Sequence, residues 1–518
     1  MLSLWETFLT QMNNKAHLTH YDVIIIGGGP VGVALAIELG LQNIRTLIIE
    51  KHTNPHRSTR AQSLSARTME FFLRWGIDKQ LENKVLLPPD FPAVGIWCSK
   101  LNGETYLAAP WGDNQLDPHS SPKQGVRIPL WLTEEVLRAR LQDFPSITFL
   151  KNHEVTDISF SPEQIIVTTS NRANKQQLSY NARFIAGCDG ANGISKTKLN
   201  NSFENLSGKT KILSISFTAP DLYSLKTIED GIFYWILSEQ QTVFMGPVDL
   251  NKSLWFAQII CDESFTMLDP ENLSKLMEKL IGFPFEKQIL NYYFWDMQVQ
   301  LANVFSLENR IFWLGDAAHA FAPTGGLGLN TGFGDAVNLG WKLAAVIKQK
   351  APVSLLTTYE QERRPICINN LNFAKQCTND VLAIKKQYPP EKNFQKFAKE
   401  NALLGKRFLN SSGLTMGYTY ASLENTAINV EKYIPTTQPG YFLPHTPYQN
   451  HTSIYEALSP VKSNLLTTCT NIRSVSNKII DEKHILSITN KMYPYEHILI
   501  RPDWHIEKIA NNLDELFK

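Results

Sequence analysis

The stretch Tyr21–Glu50, YDVIIIGGGPVGVALAIELGLQNIRTLIIE, restricts the fold more than any other part of the chain. Tyr21–Ile26 is almost wholly apolar and runs into glycines, as a parallel strand buried on both faces does. Gly27, Gly29 and Gly32 form G-x-G-x-x-G, and Val31–Leu41 places small and apolar residues at helical spacing. Arg45–Ile49 is a second buried strand, with Glu50 at its carboxyl end. In such a βαβ unit the first glycine makes the tight turn, the second lets backbone approach a pyrophosphate, and the third lets helix and strand pack closely. The helix start offers unpaired N–H groups and a partial positive charge to phosphates. Glu50, eighteen residues after Gly32, is placed to accept hydrogen bonds from a ribose. This pattern predicts an adenine-dinucleotide site. The plainer reading is a glycine turn in an ordinary α/β protein, with Glu50 a polar strand end.

At 518 residues the chain exceeds a single core, so two or three domains are expected. A formal charge of +1 gives no electrostatic case for nucleic acid or an anionic membrane surface. Cys98, Cys188, Cys261, Cys367, Cys377 and Cys469 show neither C-x-x-C nor zinc spacing. No metal is expected, and reduced thiols point to a cytoplasmic location. No apolar run is long enough to span a bilayer. Leu2, Trp5, Phe8, Leu9 and Met12 predict an N-terminal helix packed on the body.

Lys51–Arg67 is basic and turn-rich and follows the acid-tipped strand, so Arg57, Arg60 and Arg67 are candidates to face a bound dinucleotide or simply to line a solvated loop. Pro88–Ser121 reads as strands and loops of a separate layer, and Ile128–Leu141 as a helix with Thr133 as its cap. Ser146–Cys188 reads as several strands, the last ending in Asp189-Gly190. Lys211–Asp262 is rich in β-branched and aromatic residues with frequent turns, an antiparallel-sheet pattern. Its aromatics are core, or else the wall of a pocket for a flat apolar ligand. A helix is expected over Pro270–Ile281 and a buried strand over Arg310–Leu314. That strand runs into GDAAHAFAPTGGLGLNTGFGDAVNLGWKLA, where Asp316 sits at the strand tip and backbone from Gly325 to Asn330 opens a helix. Two cofactor-type turns so far apart in sequence imply one long ligand gripped from both ends. A helical segment is expected to end at Pro365, Lys385–Lys392 to be an exposed linker, and Thr436–Lys518 to be a small α/β module.

Three stretches together resemble the single-component FAD-dependent aromatic hydroxylases with the p-hydroxybenzoate hydroxylase fold. They are the fingerprint Gly27–Gly32 with Glu50, the DG motif Asp189-Gly190-Ala191-Asn192, and the GD motif Gly315-Asp316-Ala317-Ala318-His319 continuing through Pro323 and Gly325–Gly332. Ser58–Ile77, NLGWKLA and YEQERRP extend the likeness over Asp22–Pro365. The chain length, PGYFLPH (Pro439–His445) and ILIRPDWH (Ile498–His505) are similar to the phenol and polyketide hydroxylase branch. The resemblance implies an α/β protein in which a Rossmann-like FAD-binding domain (21–87, 125–205, 301–384) is interleaved with a β-sheet substrate domain (88–124, 206–300). It also implies a thioredoxin-like C-terminal domain (436–518) that serves packing or homodimer formation.

The same resemblance implies non-covalent FAD cradled by Gly27, Gly29 and Gly32, held by Glu50, Lys51 and Arg60, and contacted by Asp189, Gly190, Gly315 and Asp316. Gly326, Leu327, Gly328, Leu329 and Asn330 would meet the flavin, with Pro323, Gly328 and Asn330 beside the reacting ring. His319 is expected to pack rather than transfer protons. Leu130, Gly193, Lys196, Leu327 and Leu329 depart from the family's usual residues. The implied activity uses NADPH or NADH as a transient co-substrate and O2, through a C4a-hydroperoxyflavin, to hydroxylate a phenolic, polyketide-like or antibiotic aromatic molecule. Phe233, Trp235, Phe244 and Trp255 are the candidate substrate wall. The alternatives are a flavoprotein that binds a ligand without turnover, and a flavin-dependent halogenase. The halogenase motif W-x-W-x-I-P is absent.

Overall fold

The computed structural model describes residues 18–516, apart from 56, 58–61, 113–115, 240, 262–264, 266–268, 422–428, 470–482 and 490–491. The N-terminal helix expected over Leu2–Met12 and the candidate Arg60 lie outside the described residues.

β1 (Thr19–Ile26), α1 (Pro30–Leu41) and β2 (Thr46–Glu50) form the expected βαβ unit. Val23, Ile24, Ile25, Leu47 and Ile48 are wholly buried, as a parallel sheet covered on both faces requires. The short β3 (Ser63–Leu64) and α2 (Ala66–Arg74) follow. β4 (Val94–Cys98) and β5 (Thr105–Pro110) then leave for a second sheet. β6 (Val126–Arg127) returns to pair antiparallel with β3. After α3 (Leu130–Arg140) come β7 (Ile147–Lys151), β8 (His153–Phe160), β9 (Ile165–Asn171) and β10 (Gln177–Gly187).

The second sheet resumes with β11 (Thr210–Thr218), β12 (Phe233–Leu237), β13 (Thr242–Asp249) and β14 (Leu254–Cys261). α4 (Pro270–Ile281) and β15 (Gln288–Met297) complete it. β16 (Ser306–Leu307), β17 (Ile311–Trp313), α5 (Leu327–Ile347), α6 (Thr357–Gln387) and α7 (Pro390–Leu409) close the body.

The first sheet has the order β16-β17-β10-β1-β2-β7, parallel except at β16, with β9 added antiparallel to β10 and β8 antiparallel to β9. The second has the order β15-β11-β14-β13-β12-β4-β5. All its pairings are antiparallel except β12 with β4. Period-2 alternation along β12 sends Phe233 and Trp235 to one face and Tyr234 and Ile236 to the other.

α4 has the expected bounds because its signals agree. Asp269 caps the Asn272 amide, Pro270 opens the first turn, and Gly282 ends the helix at φ +117°. Two other helices differ from expectation. α3 starts at Leu130 behind Pro129, and Thr133 is buried inside it rather than capping it. α6 runs through Pro365, since Tyr359, Arg363, Ile366, Cys367 and Asn370 bury one face around the missing N–H. Lys385–Lys392 is a tight junction between α6 and α7, not an open linker.

Beyond Thr436, β18 (Asn464–Thr467), β19 (His484–Ser487), β20 (His497–Ile500) and β21 (Ile506–Ala510) make a four-stranded mixed sheet in the order β19-β18-β20-β21. This module shares a core with the body: Phe442, Leu443, Tyr455 and Trp504 join Phe71, Phe72 and Trp75. Arg501 grips Glu362 of α6 with two hydrogen bonds of 2.7 and 2.9 Å. Arg74 of α2 donates to the carbonyls of Pro460 and Pro502 at 2.6 Å each. Each large apolar side chain lost from such a core costs about 1.5–3 kcal/mol, and a whole fold is stable by only about 5–15 kcal/mol. Deleting Thr436–Lys518 is therefore expected to leave an aggregating body rather than a soluble one. Size-exclusion chromatography of the truncated chain checks this, and a monodisperse product with the full chain's Tm would contradict it.

Candidate cofactor and substrate site

The carboxyl ends of β1, β10 and β17 bring the three glycine-bearing turns together. A side chain at Gly27 (φ +104°) would collide with the Cys188 carbonyl at the end of β10, and one at Gly32 with the Gly27 carbonyl. Val31 of α1 lies against both Gly315 and Gly332. Gly29 differs: a methyl group added there would meet no protein atom within 4 Å. Gly29 also caps α1 without a side-chain hydrogen bond, so the first amides of the helix face open space.

Glu50 is buried and already oriented, accepting from the Gly28 amide at 2.8 Å and the His52 amide at 2.7 Å. Lys51 and Arg57 are exposed. Arg67 points elsewhere: it pairs with Glu70, donates to the Met416 carbonyl and lies over the Phe442 ring. Sequence reasoning missed two α3 residues here. Arg138 donates to the Gly28 carbonyl at 2.9 Å and stands 3.3 Å from Glu134. Burial, aided by the nearby Glu50 and resisted by Arg138, pushes Glu134 up to about 7.

In the DG turn, Asp189 accepts from the Ser195 amide at 2.8 Å and the Ser195 hydroxyl at 2.7 Å. Burial raises its carboxyl against those bonds. Any side chain at 193 would strike that carboxylate, which explains Gly193. Lys196 turns back to the Ala191 carbonyl and covers the Phe203 ring at 3.8 Å. Gly190 (φ +81°) is open.

In the GD turn, Asp316 and Pro323 are exposed. α5 begins at Leu327 behind a left-handed Gly326 and, like α1, has no side-chain cap. Leu327 is buried against Phe373, Cys377 and Leu414, while Leu329 is half-buried. Gly328 lies by Phe321. The Asn330 side chain is fully committed: it donates to the Ser63 and Gly326 carbonyls and accepts from the Ser65 amide and the Thr68 hydroxyl. It clamps the turn and offers a ligand only backbone. His319 is buried, with Nε2 2.6 Å from Asp335, whose other oxygen accepts from Arg363 at 2.8 Å. Cys367 completes a group within 4.8 Å, but both Asp335 oxygens are engaged, so the group is an ion-pair lock rather than a cation site.

A family model described as an FAD binding domain matches residues 20–374, which is more than half of the chain. The chain belongs to this FAD-binding family. It is 24% identical to the FAD-dependent monooxygenase apdD of Emericella nidulans, over 94% of this chain and 88% of that protein. It is 29% identical to the rifampicin monooxygenase of Streptomyces venezuelae, over 68% and 70%. The solved structure of RebC with bound 7-carboxy-K252c superposes with a TM-score of 0.84 at 26% identity, covering 96% of this chain and 97% of that one. No helix among the described residues is long and apolar enough to cross a membrane.

The FAD-binding body meets the second sheet across the β3–β6 ribbon. Ser63 pairs with Arg127, and Ile128 N donates to the Gln62 carbonyl at 2.8 Å. On the ribbon side of the sheet lie Phe233, Trp235, Phe244 and Phe256, with ring centroids 4.9–5.9 Å apart along the chain of contacts. Trp235 also stacks on Trp97 at 4.3 Å. Trp255, a candidate wall residue, points the other way, into the core with Tyr234 and α4. Phe256, its neighbour, takes the ribbon face.

Gly29→Val is expected to fold normally yet lose FAD, because the added atoms meet only the open space before α1. Gly32→Val is expected to unfold the unit. Flavin absorbance per chain and circular dichroism separate the two, and full flavin in Gly29→Val would refute the placement. A second expectation concerns Glu134. Its folded-state pKa is raised, so its contribution to stability is full at acidic pH and is lost as pH rises from the ordinary carboxylate range through about 7. Glu134→Gln should flatten the pH dependence of Tm across that window.

Proposed function

We propose that this chain is a flavoprotein monooxygenase that hydroxylates a flat aromatic small molecule, with FAD as bound cofactor, NADPH or NADH as electron donor and O2 as oxidant. The observation that carries the reading is the aromatic face of Phe233, Phe244 and Phe256, set across the β3–β6 ribbon from the uncapped start of α5. In overall balance, substrate, O2, NAD(P)H and a proton give hydroxylated product, NAD(P)+ and water.

Bound FAD supplies the oxygen chemistry that no side chain provides. The open backbone around Gly29 and the amides of α1 receive its pyrophosphate, and Glu50 its ribose. Asp189 and Gly190 border the same cleft. Gly315 and Asp316 serve the linking chain, while Pro323 and the backbone of Gly326, Leu327, Gly328, Leu329 and Asn330 line the ring site. Asn330 keeps that backbone still through its four side-chain bonds. The aromatic face binds the substrate by apolar burial, worth about 25 cal/mol per Å², and excludes water from the reaction. Relatives named as monooxygenases of rifampicin, phenol and 2,4-dichlorophenol support an aromatic substrate of this kind. Cys98, Cys188, Cys367, Cys377 and Cys469 form no disulfide among the described residues, in keeping with a reducing, cytoplasmic setting.

Mass spectrometry of an aromatic panel incubated with NADPH under ¹⁸O2 tests the reading. A product carrying one labelled oxygen supports it. Ligand binding without NADPH consumption would instead mark a ligand-binding flavoprotein, and chloride incorporation a halogenase. The sheet face adds a finer expectation. Phe233→Leu, Phe244→Leu and Phe256→Leu should weaken ligand binding and raise peroxide release per NADPH with FAD content unchanged. Tyr234→Leu and Trp255→Leu should lower Tm and leave that ratio alone. Equal uncoupling from both sets would place the pocket elsewhere.

A further inference from the structure

Four arginines are buried among the described residues, and three of them face a carboxylate. Arg67 pairs with Glu70, Arg74 with Glu38 at 2.8 Å, and Arg363 with Asp335 at 2.8 Å. Arg127 has none. It is 7% exposed, its Nη2 donates to Gln62 Oε1 at 2.6 Å, and its Nε–H has no hydrogen-bond partner among the described residues. Its guanidinium looks at two rings of the aromatic face, 5.1 Å from the Phe233 centroid and 5.6 Å from that of Phe256.

Such an arrangement is unfavourable by itself. A buried cation needs an anion and full hydrogen bonding to offset its desolvation. One amide oxygen and two ring faces supply only part of that; ring faces contribute about 0.5–2 kcal/mol. Burial alone, with no acid opposing it, pulls the guanidinium down to about 9, which leaves it cationic at neutral pH.

The position of Arg127 says where the missing anion comes from. On one side its strand partner is Ser63, whose carbonyl is held by Asn330 at the start of α5. On the other side stand Phe233 and Phe256. Arg127 thus lies between the flavin-side turn and the aromatic wall, inside the site assigned to substrate. We propose that Arg127 anchors an anionic oxygen, a carboxylate or an ionised phenol, carried by the aromatic substrate. The inference rests on the monooxygenase reading and narrows it to acidic aromatics. Arg127 is a binding and positioning residue: it fixes which ring edge approaches the flavin and leaves the chemistry to the cofactor.

The test uses FAD-loaded full-length protein and matched probes: hydroxybenzoate and hydroxynaphthoate, each against its carboxamide, titrated by the change in flavin absorbance. Wild type should bind an acid roughly tenfold to hundredfold more tightly than its amide, the range expected for a charge-assisted hydrogen bond. Arg127→Met should reduce that preference to about onefold, and Arg127→Lys should keep part of it. FAD content should stay the same in all three, and ligand-free Arg127→Met should melt no lower than wild type. Wild type that prefers no acid over its amide overturns the proposal. So does a preference that survives Arg127→Met, or a variant that sheds FAD, which would assign the charge to the cofactor. The broader reading fails separately, through a wild type that holds no FAD or oxygenates nothing in the ¹⁸O2 panel.

Discussion

Asp335 is the fixed point on which the cofactor side of the molecule hangs. It is wholly buried and accepts from the Gly315 amide at 3.1 Å, His319 Nε2 at 2.6 Å and Arg363 Nε at 2.8 Å. The three donors come from the GD turn, the strand that leaves it, and α6. Burial works against the imidazolium, yet Cys367 and Asp335 raise His319 to about 10, and His319 and Arg363 hold the Asp335 carboxyl below its usual range. The cluster is therefore ionised at neutral pH. Breaking one member of such a buried set costs about 3–5 kcal/mol, enough to make the turn's shape a property of the fold. Arg363 adds a bond to the Thr331 carbonyl at 2.9 Å, tying the same lock to the first turns of α5.

The lock fixes the GD turn and the first turns of α5, and the β3–β6 ribbon lies against the same helix start. Asn330 joins the two, since three of its four side-chain bonds run from α5 to Ser63, Ser65 and Thr68 and the fourth holds the Gly326 carbonyl. A two-residue ribbon is a weak element in isolation. Here it is bounded by the α5 start and by the aromatic face, so its register cannot slip without displacing both. Arg127 is held in place by neighbours on either side, Ser63 and Gln62 toward α5 and the Phe233 and Phe256 rings toward the sheet.

Much of this was legible in the chain. The glycine pattern and its flanking apolar runs specify local geometry, and local geometry is what periodicity encodes. The β-branched and aromatic runs over Lys211–Asp262 likewise foretold an antiparallel sheet. What could not be read was which face each aromatic takes after a turn: Trp255, a candidate wall residue, points into the core, and its neighbour Phe256 takes the ribbon face. Pairings across long sequence separations were equally hidden. Gln62 with Arg127, Arg138 with the Gly28 carbonyl, and Arg501 with Glu362 carry no periodic signal. The helix through Pro365 was missed because a proline's local cost was taken as decisive. One lost hydrogen bond is small beside the burial of Tyr359, Ile366, Cys367 and Asn370 on the same face.

The C-terminal module owes its place to α2. That helix presents Thr68 to Asn330 at its start, while Phe71 and Arg74 further along face the module. Glu38 of α1 binds the Arg74 guanidinium and the Trp75 indole N–H at 2.7–2.9 Å, so the outward face of α2 is polar and rigid as well as apolar. The remaining Arg74 donors end on module carbonyls. The module thus meets the body at α2 and, through Arg501, at Glu362 of α6. Its physical effect is to immobilise α2, and through Thr68 and Asn330 the turn that α2 supports.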